Sequence, residues 1–197
     1  MKIILAVLVF VTICTSAVAQ FSFGVKSGLN VNNMLLKYDD PQQKDWSSTG
    51  YGFHFGMYSK IPLSKKMLIT TEIQYSRRGD RDLKIGYLEL PVLFSYSVLK
   101  SLEVQLGVNG ALKLPHDDLL IDSYNALDFG LTGGLNFLIS EKISLTGRYY
   151  YGLPSVKTVD LSKVYTCTNC DPLLNPPSQI QNEYNRSIQL SISYKIK

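Results

Sequence analysis

Five charged side chains carry the first chemical question of this sequence: Lys26, Glu72, Glu89, Glu103 and Arg148. Each falls where an alternating segment turns it away from large apolar neighbours and onto a common polar face. Carboxylates and cations gathered in a narrow space must pair, because an unpaired buried charge is costly. Two kinds of chemistry follow. The cluster can line a gate or cation path, or it can be an ion-pair and hydrogen-bond plug that fixes strand register. The plug is the favoured reading.

Cys167 and Cys170 form a C-x-x-C in a segment between alternating runs. In an oxidising compartment a local disulfide is the simplest reading. Free thiols, a metal site and a redox site stay open beside it. A thioredoxin-like site needs a βαβ context that is missing around these cysteines. A zinc site needs two further ligands, while His54 sits in an alternating run and His116 in a different connection. His116-Asp117-Asp118 and Asp39-Asp40 read as solvated turns, with a surface cation as the rarer alternative. With two histidines in the chain and no Ser-His-Asp constellation, no catalytic residue, metal ligand or cofactor is assigned, and an enzyme is the least supported class. Trp46 falls in the first long connection, where an exposed aromatic beside polar residues is a candidate contact.

The elements that must position these residues are strands. Beyond residue 20, apolar residues recur every second position in about eight segments, a period of two that no helix produces. Tyr51, Phe53, Phe55 and Met57 alternate with Gly52, His54, Gly56 and Tyr58. Leu102, Val104, Leu106 and Val108 alternate with Glu103, Gln105, Gly107 and Asn109. The connections run long, short, long, short through the chain. The long ones are residues 37–49, 79–86, 115–126 and 154–185, and the short ones 62–66, 99–101 and 140–142. That asymmetry is the mark of an up-and-down barrel with two chemically different ends.

A soluble lipocalin-like cup would put the apolar set inside and a charged set outside. Here the polar face is mostly Gly, Ser, Thr, Asn and Gln, which suits a crowded lumen, while every segment carries at least four large apolar residues on the other face. Tyr51, Tyr75, Tyr96, Phe137, Tyr149, Tyr151 and Tyr194 lie near segment ends, as an interfacial girdle requires. The expectation is an all-β, eight-stranded antiparallel up-and-down transmembrane β-barrel with short periplasmic turns and long extracellular loops. On this assignment Leu106→Arg is costly and Gln105→Arg much less so.

Composition agrees. The 197 residues are 45% hydrophobic and only 18% charged, with 13 Tyr against one Trp. The net charge of +4 is too small and too scattered to imply nucleic acid. Residues 1–20 read as a secretory signal peptide: Lys2, an apolar stretch from Ile3 to Ile13, and the Ala17-Val18-Ala19 cleavage pattern. Residues 21–197 are then the barrel domain, placed in the cell outer membrane. Its expected partners are outer-membrane lipid, the assembly machinery and an unidentified extracellular or cell-surface partner.

Short stretches also carry a resemblance. Phe21-Ser22-Phe23-Gly24-Val25-Lys26-Ser27-Gly28-Leu29-Asn30 resembles the first strand of PorT-like outer-membrane β-barrel proteins of the porin family. Tyr87-Leu88-Glu89-Leu90-Pro91 is similar to their mid-chain strand. Arg148-Tyr149-Tyr150-Tyr151-Gly152-Leu153 and Asn185-Arg186-Ser187-Ile188-Gln189-Leu190 are similar to the last two. The resemblance implies a small outer-membrane barrel and no specific activity. The chain departs from the common aromatic finish of such barrels by ending Tyr194-Lys195-Ile196-Lys197.

Overall fold

The computed structural model describes residues 21–38, 44–79, 84–115, 124–160 and 180–197. Eight long strands form in the alternating segments: β1 (Ser22–Tyr38), β2 (Trp46–Pro62), β3 (Met67–Gly79), β4 (Lys84–Leu99), β5 (Leu102–Lys113), β6 (Leu127–Leu138), β7 (Ile143–Gly152) and β9 (Ile180–Lys195). Each pairs antiparallel with the next, and β9 pairs with both β7 and β1, so the sheet closes. A short ninth strand, β8 (Lys157–Asp160), pairs with the upper end of β9. The result is a closed eight-stranded antiparallel barrel, and closure removes the unpaired edges that a membrane cannot solvate. Residues 1–20, Cys167 and Cys170, Asp39-Asp40 and the His116-Asp117-Asp118 cluster lie outside the described residues.

The cross-strand register sets the geometry. Starting at Phe23, the partners run Ser59, Thr71, Val92, Val108, Leu131, Tyr151 and Arg186, and return to β1 at Asn33. One circuit therefore climbs ten residues. For eight strands that stagger corresponds to a tilt of about 42°, inside the range that closed barrels need.

Alternation decides which face is which. Along β4, Ile85, Tyr87, Glu89, Leu93 and Ser95 are buried inside, while Leu90, Val92, Phe94 and Tyr96 are exposed outside. The outward set Leu88 to Val98 covers roughly 25 Å of the barrel axis at that tilt, the height of a lipid-facing apolar band. Tyr96, Phe137 and Tyr194 ring the short-turn end, and Tyr51, Tyr149 and Tyr151 the opposite end. The short turns 63–66, 100–101 and 139–142 lie at the end where Phe23 N donates to Lys197 O, the periplasmic end of such barrels.

Two expectations need correction. Three of the four long connections are shorter than the sequence pattern suggests, all but the one between β5 and β6, because the strands continue above the apolar band: β1 and β2 stay paired up to Leu36 and Trp46. Trp46 accordingly opens β2 rather than sitting in a loop, although it is exposed. Leu93, an apolar residue, faces the lumen and is fully buried there.

Small residues make the inward packing feasible. A Cβ at Gly28 would collide with the Leu190 carbonyl oxygen and lie 2.7 Å from the His54 ring. Gly28→Ala is therefore expected to destabilise the barrel by about 1–3 kcal/mol, as overpacking does. A urea titration in phospholipid vesicles that shows no loss would mean the lumen is looser than this packing.

Candidate functional site in the barrel lumen

Among the described residues, five ion pairs inside the barrel join four cations to four carboxylates. They stack in three groups along the axis. Nearest the short-turn mouth, Lys60 Nζ lies 2.8 Å from Glu103 Oε2, which also accepts from Asn136 Nδ2. Asn136 Oδ1 in turn accepts from Thr146.

In the middle, Glu72 holds two cations at once. Its Oε2 is 2.7 Å from Lys26 Nζ and 2.9 Å from Arg148 Nη1, while its Oε1 is 2.8 Å from Arg148 Nη2. The fork of the guanidinium meets both carboxylate oxygens, the strong bidentate geometry. Arg148 Nε donates to Gln105 Oε1, and Gln105 Nε2 donates to Ser95. Gln105→Arg would therefore set a second guanidinium against the first, so the mild effect expected for it from sequence is withdrawn.

The upper group centres on Arg78, which is fully buried. Its Nη2 is 2.7 Å from Glu89 Oε1 and its Nη1 3.5 Å from Asp128 Oδ2, and its guanidinium lies 4.0 Å from the centre of the Tyr150 ring. Glu89 Oε2 accepts from Gln74 and Asn109, and Asp128 accepts from Asn185. Between the groups, His54 bridges β1 and β9. Asn30 Oδ1 can only accept, so the His54 Nδ1 at 2.6 Å carries a proton, while Nε2 meets Ser191 Oγ at 2.7 Å.

The upper mouth is covered by an apolar cluster of Met34, Ile85, Tyr87, Ala111, Tyr124 and Val156. Tyr124 Oη donates to Glu183, and Asn125 N and Val156 N donate to the carbonyls of Val156 and Glu183, which ties the cover to β9. Below it a vestibule of about 540 Å³ opens at the short-turn mouth beside Lys60 and Glu103, while the gaps deeper among the ion pairs are small. The gap beside Glu72, Gln105 and Arg148 is about 10 Å³, and that beside Tyr58, Lys60 and Ser144 about 40 Å³. A water needs at least about 10–15 Å³, so the first holds one at most.

The five residues singled out from sequence are thus distributed over all three groups. Lys26, Glu72 and Arg148 meet, whereas Glu89 pairs with Arg78 and Glu103 with Lys60. Arg78, Lys60 and Asp128 are the charged partners that the sequence reading leaves out of the network. Their signal was inward parity: Arg78 continues the row of Glu72, Gln74 and Ser76, and Lys60 that of Gly56 and Tyr58.

An antiparallel barrel closed on itself, apolar outside and charge-balanced within, defines a β-barrel protein of the outer membrane. A family model described as "Outer membrane protein beta-barrel domain" matches residues 16–157, and the chain belongs to that family. No curated protein matches it by sequence. Similar solved structures include Neisserial surface protein A, at 12% identity, covering 87% of this chain and 96% of that one with a TM-score of 0.49. OprG from Pseudomonas aeruginosa is 13% identical, with 89% and 95% covered and a TM-score of 0.46. Ail of Yersinia pestis, solved with the heparin analogue sucrose octasulfate, is 10% identical, with 89% and 99% covered and a TM-score of 0.45.

Proposed function

We propose that this protein is a structural and surface-interaction barrel that does not conduct and is not an enzyme. The observation that carries the reading is the lumen, where four cations and four carboxylates neutralise one another and the gap beside the central Glu72–Arg148 pair is only about 10 Å³, the wider space of about 540 Å³ lying at the short-turn mouth beside Lys60 and Glu103. A solute path through it would have to break buried ion pairs, which is costly. His54, a residue that general acid–base chemistry would use, has both ring nitrogens engaged at the barrel centre. Recognition then falls to the end away from the short turns, where Trp46 is exposed, and the C-x-x-C of Cys167 and Cys170, which falls in the sequence between β8 and β9, belongs to the same reading. The partner there is extracellular or on a cell surface. The apolar wall contacts outer-membrane lipid, and insertion uses the assembly machinery after export by the 1–20 signal peptide. Within the family, the Phe21–Asn30, Tyr87–Pro91 and Arg148–Leu153 stretches group the chain with PorT-like members.

Conductance of the refolded protein in a planar bilayer tests this. A folded barrel, verified by its heat-modifiable migration on gels, is expected to be electrically silent. Reproducible current steps that change in Glu89→Gln or Arg148→Gln would replace the plug by a small porin.

A further inference from the structure

On the outer wall the charged residues follow a one-sided rule. All the carboxylates of β1–β7 and β9, namely Glu72, Glu89, Glu103, Asp128 and Glu183, face inward and are buried. The charged side chains on the outward face of the upper strand ends are Lys37, Arg77, Lys84 and Arg186. One of them sits in a groove. Arg186, Asn33 and Thr49 are direct cross-strand neighbours on β9, β1 and β2, and they line a surface groove of about 410 Å³. Val31, Leu35, Tyr149 and Ile188 form its apolar walls.

The guanidinium is held before any ligand arrives. Arg186 Nη1 donates to Gly152 O at 2.6 Å and to Asn185 O at 2.9 Å, and the group lies 3.6 Å from the centre of the Tyr151 ring. Asn33 Nδ2 donates to Thr49 Oγ1 at 3.3 Å, placing an amide and a hydroxyl beside the cation. The height is also set by the register. Arg186 shares a hydrogen-bonded row with Val92, four strands away, and half a circuit climbs half of the ten-residue stagger. Arg186 is therefore level with about Tyr87 on β4, at the top of the apolar band that begins at Leu88.

We propose that this groove binds one phosphate-bearing lipid of the outer leaflet. Its phosphate meets Arg186, with Asn33 and Thr49 supplying neutral hydrogen bonds, and an acyl chain runs down the apolar row of Val31 and Ile188 towards Leu29 and Leu190. A planar guanidinium matches phosphate oxygens, and its weak hydration suits the edge of a bilayer. The absence of outward carboxylates on the long strands removes the repulsion that would reject an anion. The site depends on placement in a membrane and not on a closed lumen, so a conducting barrel would leave it standing.

Native mass spectrometry of the refolded protein in detergent, with dioleoyl phosphatidate and dioleoyl phosphatidylcholine offered separately, reads the binding. One phosphatidate is expected to be retained per barrel in preference to phosphatidylcholine, and excess inorganic phosphate is expected not to displace it. Arg186→Gln should weaken retention at least about tenfold, the effect of losing a charged hydrogen-bonding group. Val31→Trp, which fills the groove and keeps the cation, should do the same, whereas Arg77→Gln should change little. Displacement by free phosphate, equal retention of the two lipids, or equal losses in Arg186→Gln and Arg77→Gln would each overturn the proposal. If Arg186→Gln fails to fold, undiminished retention by Val31→Trp overturns it instead.

Discussion

Glu72→Gln is expected to lower barrel stability by about 3–5 kcal/mol, the cost of leaving buried cations without their counter-charge. Glu72 is the one carboxylate between Lys26 and Arg148, and the amide cannot compensate either charge. The control is a second change. Lys26→Met in the Glu72→Gln background removes one of the stranded cations and is expected to recover part of the loss, while Lys26→Met alone should be destabilising. Unfolding by urea in phospholipid vesicles reads all three. A loss below about 1 kcal/mol for Glu72→Gln would mean that water already solvates the trio, as at an exposed pair, and the plug reading would fall with it.

The second large effect lies on the opposite face. Leu106→Arg should cost about 2–4 kcal/mol, whereas Leu127→Arg should cost about 0–1 kcal/mol, because the penalty for a cation on the lipid face depends on depth. Leu106 pairs with Phe94 and is level with the centre of the β4 apolar band. Leu127 pairs with Leu112, which pairs with Leu88, and the climb of the rows carries it above that band. Both are exposed to a similar degree, 65% and 67%, so exposure alone predicts no difference between them. Refolding titrations that give equal costs would displace the membrane boundary inferred here.

Much of this architecture was readable from local pattern, and what was not has a physical reason. A period of two identifies a strand and its faces, so Lys26, Glu72, Glu89, Glu103 and Arg148 could all be placed on the polar side. Which of them meet depends on the stagger between strands, a property of the closed sheet that no single strand encodes. Hence Glu72 reaches Arg148 while Glu89 finds Arg78. Arg78 and Lys60 went unassigned for a simpler reason: the alternation of large apolar residues stops near Tyr75 and Met57, yet backbone pairing continues. Trp46 was misplaced by the same effect on β2. Leu93 keeps the inward parity of Glu89 and Ser95, and what local pattern did not show is that this lumen position is filled by an apolar side chain. The outward row of Arg186, Asn33 and Thr49 needs three strands in register and has no one-dimensional signature.

The closing seam has a consequence in time. Gly24 pairs with Lys195, and the β1–β9 ladder continues to Tyr38 and Gln181. Its partners are among the most distant in the chain, so the seam carries the largest loop-closure entropy and forms late. Until β9 arrives, β1 and β7 both present open edges to any other chain, the condition under which strands pair wrongly and aggregate. A late seam of this kind favours a cooperative, all-at-once closure over stepwise pairing, because each moment with open edges is a moment at risk.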